Sequence, residues 1–364
     1  MALELARRGK AFAGPNPAVG AVIVKDNRVV STGYYMGPGT LHAEAEAIRV
    51  AGKHAVGATM FVTLEPHCYH GTQPPCTDKI IEAGISRVVI AAIDPNPKVN
   101  GKGVRQLTEA GLQVEVGLME TEAKALNKGF FKAHQMGLPY LRLKLALSLD
   151  GFVADATGKS KWISGPQARE YVHKLRGEMT SVMVGVGTVL ADDPLLTPRL
   201  VYAPRKPTRF VLDTRLRIPL GAKVLNNDAE TVVVTGKHPD PEKLKAIRDM
   251  GHQVWVLEKP GWEALFKRMV KEDHNEVMFE GGAQIARSLI SSGYLDELLL
   301  IYGPVHLGKG LSPFPGQSSL ETAKRFYLLE LKQLGQDVLM RFALKQTREN
   351  KGEKDERSQE RTLG

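Results

Sequence analysis

Only two cysteines, Cys68 and Cys76, occur in the 364 residues. That excludes a disulfide framework for a chain of this length and makes a reducing cytoplasm the expected compartment. No run of about 18 apolar residues is present, which excludes a membrane-spanning helix. The opening stretch, Met1-Ala-Leu-Glu-Leu-Ala-Arg-Arg, reads as an amphipathic helix carrying an acid and not as a signal peptide. No internal repeat is evident. What the chain does have is length and apolar content: 364 residues at 43% hydrophobic predict two domains, each with its own core. The net charge of +9 suits nucleic acid or a phosphorylated small substrate, and bulk charge does not separate the two.

Apolar runs and helical periods alternate along the first 137 residues. Runs over 18–24, 29–35, 59–65, 88–93 and 114–119 predict strands, with helices over 43–50, 77–83 and 103–110 between them. The expectation is an α/β domain with helices packed on a mostly parallel sheet. A helical stretch over 120–135 ends at Gly137 and Pro139 opens the next strand, which sets the first domain at 1–137. A second α/β domain spans 138–345. Its strands are predicted over 140–147, 182–185, 210–213, 231–235, 254–257, 277–280 and 298–302, with helices such as 166–176 and 283–291 among them. Residues 346–364 are nearly all charged or polar and predict a solvated tail.

The chemistry concentrates in two short segments of the first domain. His42-Ala43-Glu44 opens one helix, and about 25 residues later come Pro66-His67-Cys68 and then Pro74-Pro75-Cys76 at the start of another. Three protein ligands that leave a fourth position open let zinc lower the pKa of a bound water, as hydrolytic deamination requires. The reaction also needs a carboxylate off the metal. Glu44, two residues past His42, is placed to take the water's proton and pass it to a ring nitrogen and a leaving amine. Cys76 at a helix N-terminus is helped toward thiolate. His-x-Glu followed by Pro-Cys-x-x-Cys is the zinc deaminase signature. Here His67 takes the first cysteine slot, and eight residues separate it from Cys76. Cys68 is the stronger zinc-ligand type and competes with His67, but neighbours on an extended segment point opposite ways, which favours His42, His67 and Cys76 as ligands.

Several further segments carry a resemblance: Pro15-Asn16-Pro17-Ala18-Val19-Gly20, Thr63-Leu64-Glu65-Pro66, Pro74-Pro75-Cys76-Thr77 and Asp94-Pro95-Asn96-Pro97. With His42-Ala43-Glu44 they resemble, in order and spacing, the bifunctional riboflavin-biosynthesis family, in which a pyrimidine deaminase is fused to a reductase. The resemblance runs up to Phe342. It implies a cytidine-deaminase-like α/β/α domain followed by a dihydrofolate-reductase-like α/β domain. The implied substrate is a diaminopyrimidinone carrying a ribosylamino 5′-phosphate, attacked at its amidine carbon with loss of ammonia. Asn16 and Asn96 would contact it, because amides both donate and accept. Asx turns that shape loops are the alternative for both. Four positions depart from the family pattern: Tyr35, His67, Tyr69 and Thr72. Imidazole in place of thiolate leaves the metal site one charge more positive and its water more acidic. Thr72 removes a basic residue that would meet the phosphate.

In the second half, Lys144-Leu-Ala-Leu-Ser-Leu-Asp-Gly151, Gly158-Lys-Ser-Lys-Trp-Ile-Ser164, Gly185-Val-Gly-Thr188 and Glu280-Gly281-Gly282 resemble the same family's reductase. Glycines between strand and helix let backbone amides approach a phosphate. The resemblance assigns Ala146, Trp162, Ser164, Thr188, Thr214 and Gly282 to NADPH. It assigns Ser160, Arg176, Asp192, Leu195, Arg199 and Glu280 to substrate, with the arginines gripping phosphate and the acids holding sugar hydroxyls. It also implies a homo-oligomer. Two other readings stand beside this one. A nucleoside or tRNA base deaminase would use the basic charge as a backbone footprint, but has no use for the Trp162, Asp192 and Glu280 constellation. A zinc-stabilised scaffold attached to a working reductase is the other. The expected partner is a small phosphorylated pyrimidine, not nucleic acid or membrane.

Overall fold

The structure, a computed structural model, describes residues 1–344 apart from 72, 259, 260, 315, 317, 318 and 322. The predicted tail and Thr72 lie outside the described residues. The first domain runs α1 (Ala2–Ala13), β1 (Gly20–Lys25), β2 (Arg28–Tyr34), α2 (Ala43–Ala51), β3 (Thr59–Val62), α3 (Cys76–Glu82), β4 (Arg87–Ile90), α4 (Lys102–Glu109), β5 (Gln113–Val116), α5 (Glu120–Leu126) and α6 (Lys128–Met136). Its sheet has the order β2-β1-β3-β4-β5. Strands β3, β4 and β5 are parallel, but β1 is antiparallel to both of its neighbours. Half the pairings are therefore antiparallel, where a mostly parallel sheet is predicted. The reason is local: Asp26 and Asn27, at φ 50° and 58°, close β1 directly onto β2 as a two-residue hairpin turn. The core between this sheet and its helices is built from small residues of α2 (Ala43, Ala47, Ala51) against Ile23, Met60, Ile80 and Ile90.

The helix predicted over 120–135 is two helices that meet at Asn127. No glycine or proline breaks it. Asn127 is buried, and its amide pairs with both backbone groups of Ala18, Oδ1 accepting from N at 2.8 Å and Nδ2 donating to O at 2.9 Å. The break therefore ties the end of the domain to the segment that leads into β1.

The second domain comprises β6 (Tyr140–Leu147), β7 (Ala154–Asp155), α7 (Pro166–Glu178), β8 (Ser181–Gly185), α8 (Val186–Asp192), β9 (Thr208–Leu212), β10 (Thr231–Thr235), α9 (Pro241–Asp249), β11 (Gln253–Val256), α10 (Trp262–Lys271), β12 (Glu276–Glu280), α11 (Ala283–Ser292), β13 (Glu297–Tyr302), β14 (Gly310–Leu311), β15 (Phe326–Leu334) and β16 (Asp337–Leu344). Its main sheet has the order β11-β10-β9-β8-β12-β6-β13-β16-β15. From β11 to β13 the neighbours are parallel, and β16 and β15 close one edge antiparallel. Leu141, Leu143, Leu145 and Leu147 alternate along β6 into one core with Phe210, Phe266 and Phe279. A second core on the opposite face is built from Val182, Val184, Val211, Val233 and Met278.

From β6 the chain winds outward through β8 to β11, then returns to insert β12 between β8 and β6. The crevice outside the carboxyl ends of β8, β12 and β6 is where such sheets bind ligands. The hairpin of β15 and β16 was not expected from the sequence. Among the described residues no helix is long and apolar enough to cross a membrane.

Candidate metal centre and reductase crevice

His42 is the residue before α2, Glu44 lies in that helix's first turn, and Cys76 is the first residue of α3. His67 is on the loop between β3 and α3 and accepts the Cys76 backbone N–H at 3.0 Å. One donor atom from each of His42, His67 and Cys76 lies within 4.8 Å of the other two, the one such cluster among the described residues. His42 Nδ1 and Cys76 Sγ are 3.5 Å apart. Tetrahedral zinc, with bonds of roughly 2.0–2.3 Å, sets its donors about 3.3–3.6 Å apart, a spacing that His42 and Cys76 already have. His67 Nδ1 is buried without a hydrogen-bond partner among the described residues, an orphan that a cation satisfies. Burial lowers His42 to about 4, with His67 and Lys79 adding to the effect; the ring is thus neutral, the form that binds metal. The Cys68 thiol instead faces Lys98 O at 4.0 Å.

Glu44 is buried, and burial raises its carboxyl despite a hydrogen bond with Cys76. A carboxyl poised upward suits a group that takes and returns a proton. Burial, with Glu44 beside it, pushes the Cys76 thiol well up, so the helix end does not by itself yield the thiolate expected from the sequence. A metal would have to displace that proton.

His42, His67 and Glu44 line a pocket of about 210 Å³ whose lining also includes Asn16, Tyr35, Tyr69, Asp94, Asn96 and Phe130. Asn16 Nδ2 donates to Tyr35 Oη at 2.8 Å, which leaves Oδ1 as an acceptor. Asn96 Oδ1 accepts from Lys98 N at 3.0 Å, an Asx turn that leaves Nδ2 as a donor. Tyr35 and Tyr69 meet the His42 and His67 rings edge-on, at 5.5 and 5.7 Å between centroids. Burial raises Asp94 from 3.8 to about 7, partly offset by the Asn96 N–H and reinforced by Glu65. The folded state therefore holds this proton more tightly than the unfolded chain. Its contribution to stability is complete below about pH 4 and lost as pH rises through about 7. Asp94→Asn is expected to melt with wild type at pH 4 and above it at pH 8, as read by thermal denaturation.

In the second domain the contacts join the assigned residues in separate groups: Arg176 and Glu280 with Arg199 nearby, Ser160 with Asp192, and Thr188 with Gly282. Arg176, on α7, grips Glu280, at the end of β12, through Nε to Oε1 at 2.6 Å and Nη2 to Oε2 at 2.8 Å. Burial works against the Glu280 charge, but Arg176 and Lys144 hold the carboxyl down at about 2. Lys144 lies opposite Glu280 in the β6–β12 register. Burial and Arg176 lower its ammonium while Glu280 opposes them. Arg199 is exposed beside this cluster, its charge disfavoured by burial and by Arg176. Ser160 Oγ donates to Asp192 Oδ2 at 3.1 Å.

Gly281 has φ +138°, and a Cβ there would lie 2.7 Å from Thr188 Oγ1, which also accepts from Gly282 N at 3.3 Å. Only glycine lets this turn meet α8. Trp162 is 72% exposed with the Arg169 guanidinium 4.7 Å from its ring centroid, and Arg169 also donates to Ser164 O. Ala146 sits one strand from Glu280, on β6. Thr214 is exposed just past β9, and Leu195 O accepts from Arg209 at 3.4 Å.

The family pattern described as "Cytidine and deoxycytidylate deaminase zinc-binding region" matches residues 1–92, and "RibD C-terminal domain" matches 139–340. The riboflavin biosynthesis protein RibD of Aquifex aeolicus is 42% identical, over 94% of this chain and 96% of its own. That of Escherichia coli is 39% identical, over 93% and 96%. The chain belongs to the RibD family. Among solved structures, RibD of Acinetobacter baumannii superposes with a TM-score of 0.88 at 39% identity, covering 95% of this chain and 97% of that one. A Thermotoga maritima protein described as a diaminohydroxyphosphoribosylaminopyrimidine deaminase/5-amino-6-(5-phosphoribosylamino)uracil reductase does so at 0.85 and 35%, covering 94% and 96%. As a RibD-family member the chain is a bifunctional deaminase and reductase of riboflavin biosynthesis that uses zinc and NADPH and acts on a small substrate.

Within this RibD-family chain the variant ligand is directly testable. His67→Ala is expected to lose most of its bound zinc and Cys68→Ala to retain it, as measured by metal analysis after dialysis. Two site residues escaped the sequence reading in kind. Lys144 was visible only as the start of a motif, although a lysine within an apolar strand is itself a signal. Phe130 reaches the deaminase pocket from α6, and nothing local in the sequence marks it.

Proposed function

We propose that residues 1–137 deaminate a diaminopyrimidinone bearing a ribosylamino 5′-phosphate. Residues 138–345 then reduce its ribosyl chain to ribityl, giving 5-amino-6-ribitylamino-uracil 5′-phosphate. The observation that carries the reading is the three-donor cluster whose two histidines, with a buried carboxyl and two amides, line one pocket. His42, His67 and Cys76 would hold zinc, which when bound makes a water acidic enough to attack near neutral pH. Glu44 takes that water's proton as the new C–O bond forms and passes it to the ring nitrogen. It then takes the proton of the new hydroxyl and delivers it to the amine as the C–O becomes a carbonyl, the C–N bond breaks and ammonia leaves. Asn16 offers the ring an acceptor and Asn96 a donor.

In the second step NADPH supplies the hydride. Opening the ribose ring requires a proton on its oxygen as the bond to C1′ breaks, and the hydride then adds at C1′. Lys144, its ammonium lowered by burial, is the donor we assign. Arg176 is engaged bidentately by Glu280, so Arg199 is the cation left for phosphate, with Ser160, Asp192 and Leu195 around the sugar. Ala146, Trp162, Ser164, Thr188, Thr214 and Gly282 line the path for NADPH. The enzyme works in the cytoplasm as a homo-oligomer. For the latter, Leu328, Leu329 and Leu331 lie exposed on the edge strand β15, a surface that self-association would cover. The test is to incubate the protein with the diaminopyrimidinone ribosylamino phosphate, with and without NADPH. Ammonia released without NADPH supports the reading, and its absence refutes the deaminase half.

A further inference from the structure

The turn that carries Asn16 is held by the other domain. Asn275, buried at the entry to β12, donates its side-chain Nδ2 to Pro15 O at 2.7 Å. The next residue, Glu276, accepts from Lys10 Nζ of α1 at 2.6 Å, with both side chains largely buried. The same two residues pack on α6, where a Cβ at Gly129 would lie 2.1 Å from Glu276 Cγ and 2.6 Å from Asn275 O. Phe130, adjacent to that glycine, lines the deaminase pocket. A single corner of the reductase sheet thus touches α1, the Pro15 turn and α6, and the last two border the pyrimidine pocket through Asn16 and Phe130. Pro15 and Pro17 stiffen φ on both sides of Asn16, so fixing one carbonyl fixes the direction in which the amide projects. Tyr35 Oη then accepts from Asn16 Nδ2, holding the amide by its other end.

We infer that Asn275 of the reductase domain is a positioning residue for the deaminase: by anchoring the Pro15 carbonyl it aims Asn16 into the pyrimidine pocket. The inference rests on the reading that Asn16 binds substrate. It makes the deaminase pocket incomplete without the second domain, and it concerns substrate binding, not the metal or the proton transfer. One hydrogen bond of ordinary strength, lost from a preorganised pocket, raises KM about 3–10-fold.

The experiment is steady-state deamination by full-length protein, comparing wild type with Asn275→Ala, Asn275→Asp, Asn16→Ala and the Asn16→Ala/Asn275→Ala double variant. Zinc content and NADPH oxidation with the deaminated intermediate are measured beside it. Asn275→Ala is expected to raise the deaminase KM about 3–10-fold with kcat within about twofold, zinc and reduction unchanged. Asn275→Asp has the same shape but sets an acceptor against the carbonyl, and is expected to do at least as much. On the Asn16→Ala background the loss of Asn275 is expected to add nothing, because one acts through the other.

If Asn16→Ala raises KM and Asn275→Ala does not, the inference fails alone. Multiplying effects in the double variant, or a fall in kcat and zinc together, would show that Asn275 serves only domain docking and would overturn it. An unchanged KM in Asn16→Ala would remove the substrate reading and the inference with it.

Discussion

Glu44→Gln is expected to cut ammonia release by about 10²–10⁴-fold while the protein keeps its zinc. The substitution preserves size and a polar contact but removes the group that carries the proton from water to ring and amine. Glu44 is buried, hydrogen-bonded to Cys76 and raised by burial. The neutral amide keeps the size of a carboxyl that burial already disfavours in its charged form, and the ligand cluster has little reason to rearrange. Reduction of the deaminated intermediate, 236 residues further along the chain at Glu280, is expected to proceed at the wild-type rate. Metal analysis beside an ammonia assay reads both halves. Loss of zinc along with activity would mean that Glu44 shapes the metal site, contrary to the division of roles argued above.

Glu280→Gln is expected to be the most damaging single change in the reductase domain. It leaves Arg176 and Lys144 facing each other with Arg199 nearby and no carboxylate among them. Removing one partner of a buried, well-formed pair costs about 3–5 kcal/mol, and at roughly 2–4 °C per kcal/mol for a domain of this size the reductase melts about 6–20 °C earlier. Arg176→Met is expected to cost less, because Lys144 still faces Glu280 across the β6–β12 register. Calorimetry of the two variants checks the order. The reverse order would show that Arg176, not Glu280, is the hub of the cluster. Deamination by Glu280→Gln at 20 °C is expected to stay near wild type.

What could be read before the structure follows physical lines. Strand β6 was legible because Leu141, Leu143, Leu145 and Leu147 alternate into one core, and the helix starts at His42 and Cys76 because local motifs mark them. The hairpin of β15 and β16 was not, since Leu328, Leu329 and Leu331 of β15 are exposed and only Leu334 at its end is buried, so no alternation marks the strand. The split of the 120–135 helix was hidden because its cause is Ala18, 109 residues away. The same limit applies to the sites. His67 and Glu44 stand in a local pattern, whereas the pairing of Arg176 with Glu280 joins α7 to β12 and changes what Arg176 has free to offer. Pro15 and Asn275 are 260 residues apart, and no spacing rule connects them.

The most direct test of two separate chemistries in one chain is a zinc titration. Protein stripped of metal by a chelator is expected to release no ammonia and still to oxidise NADPH with the deaminated intermediate. Zinc added back is expected to restore ammonia release in step with one bound ion per chain, and NADPH oxidation is expected to stay constant throughout. Ammonia release by the stripped protein, or reduction that rises and falls with zinc, would contradict the account.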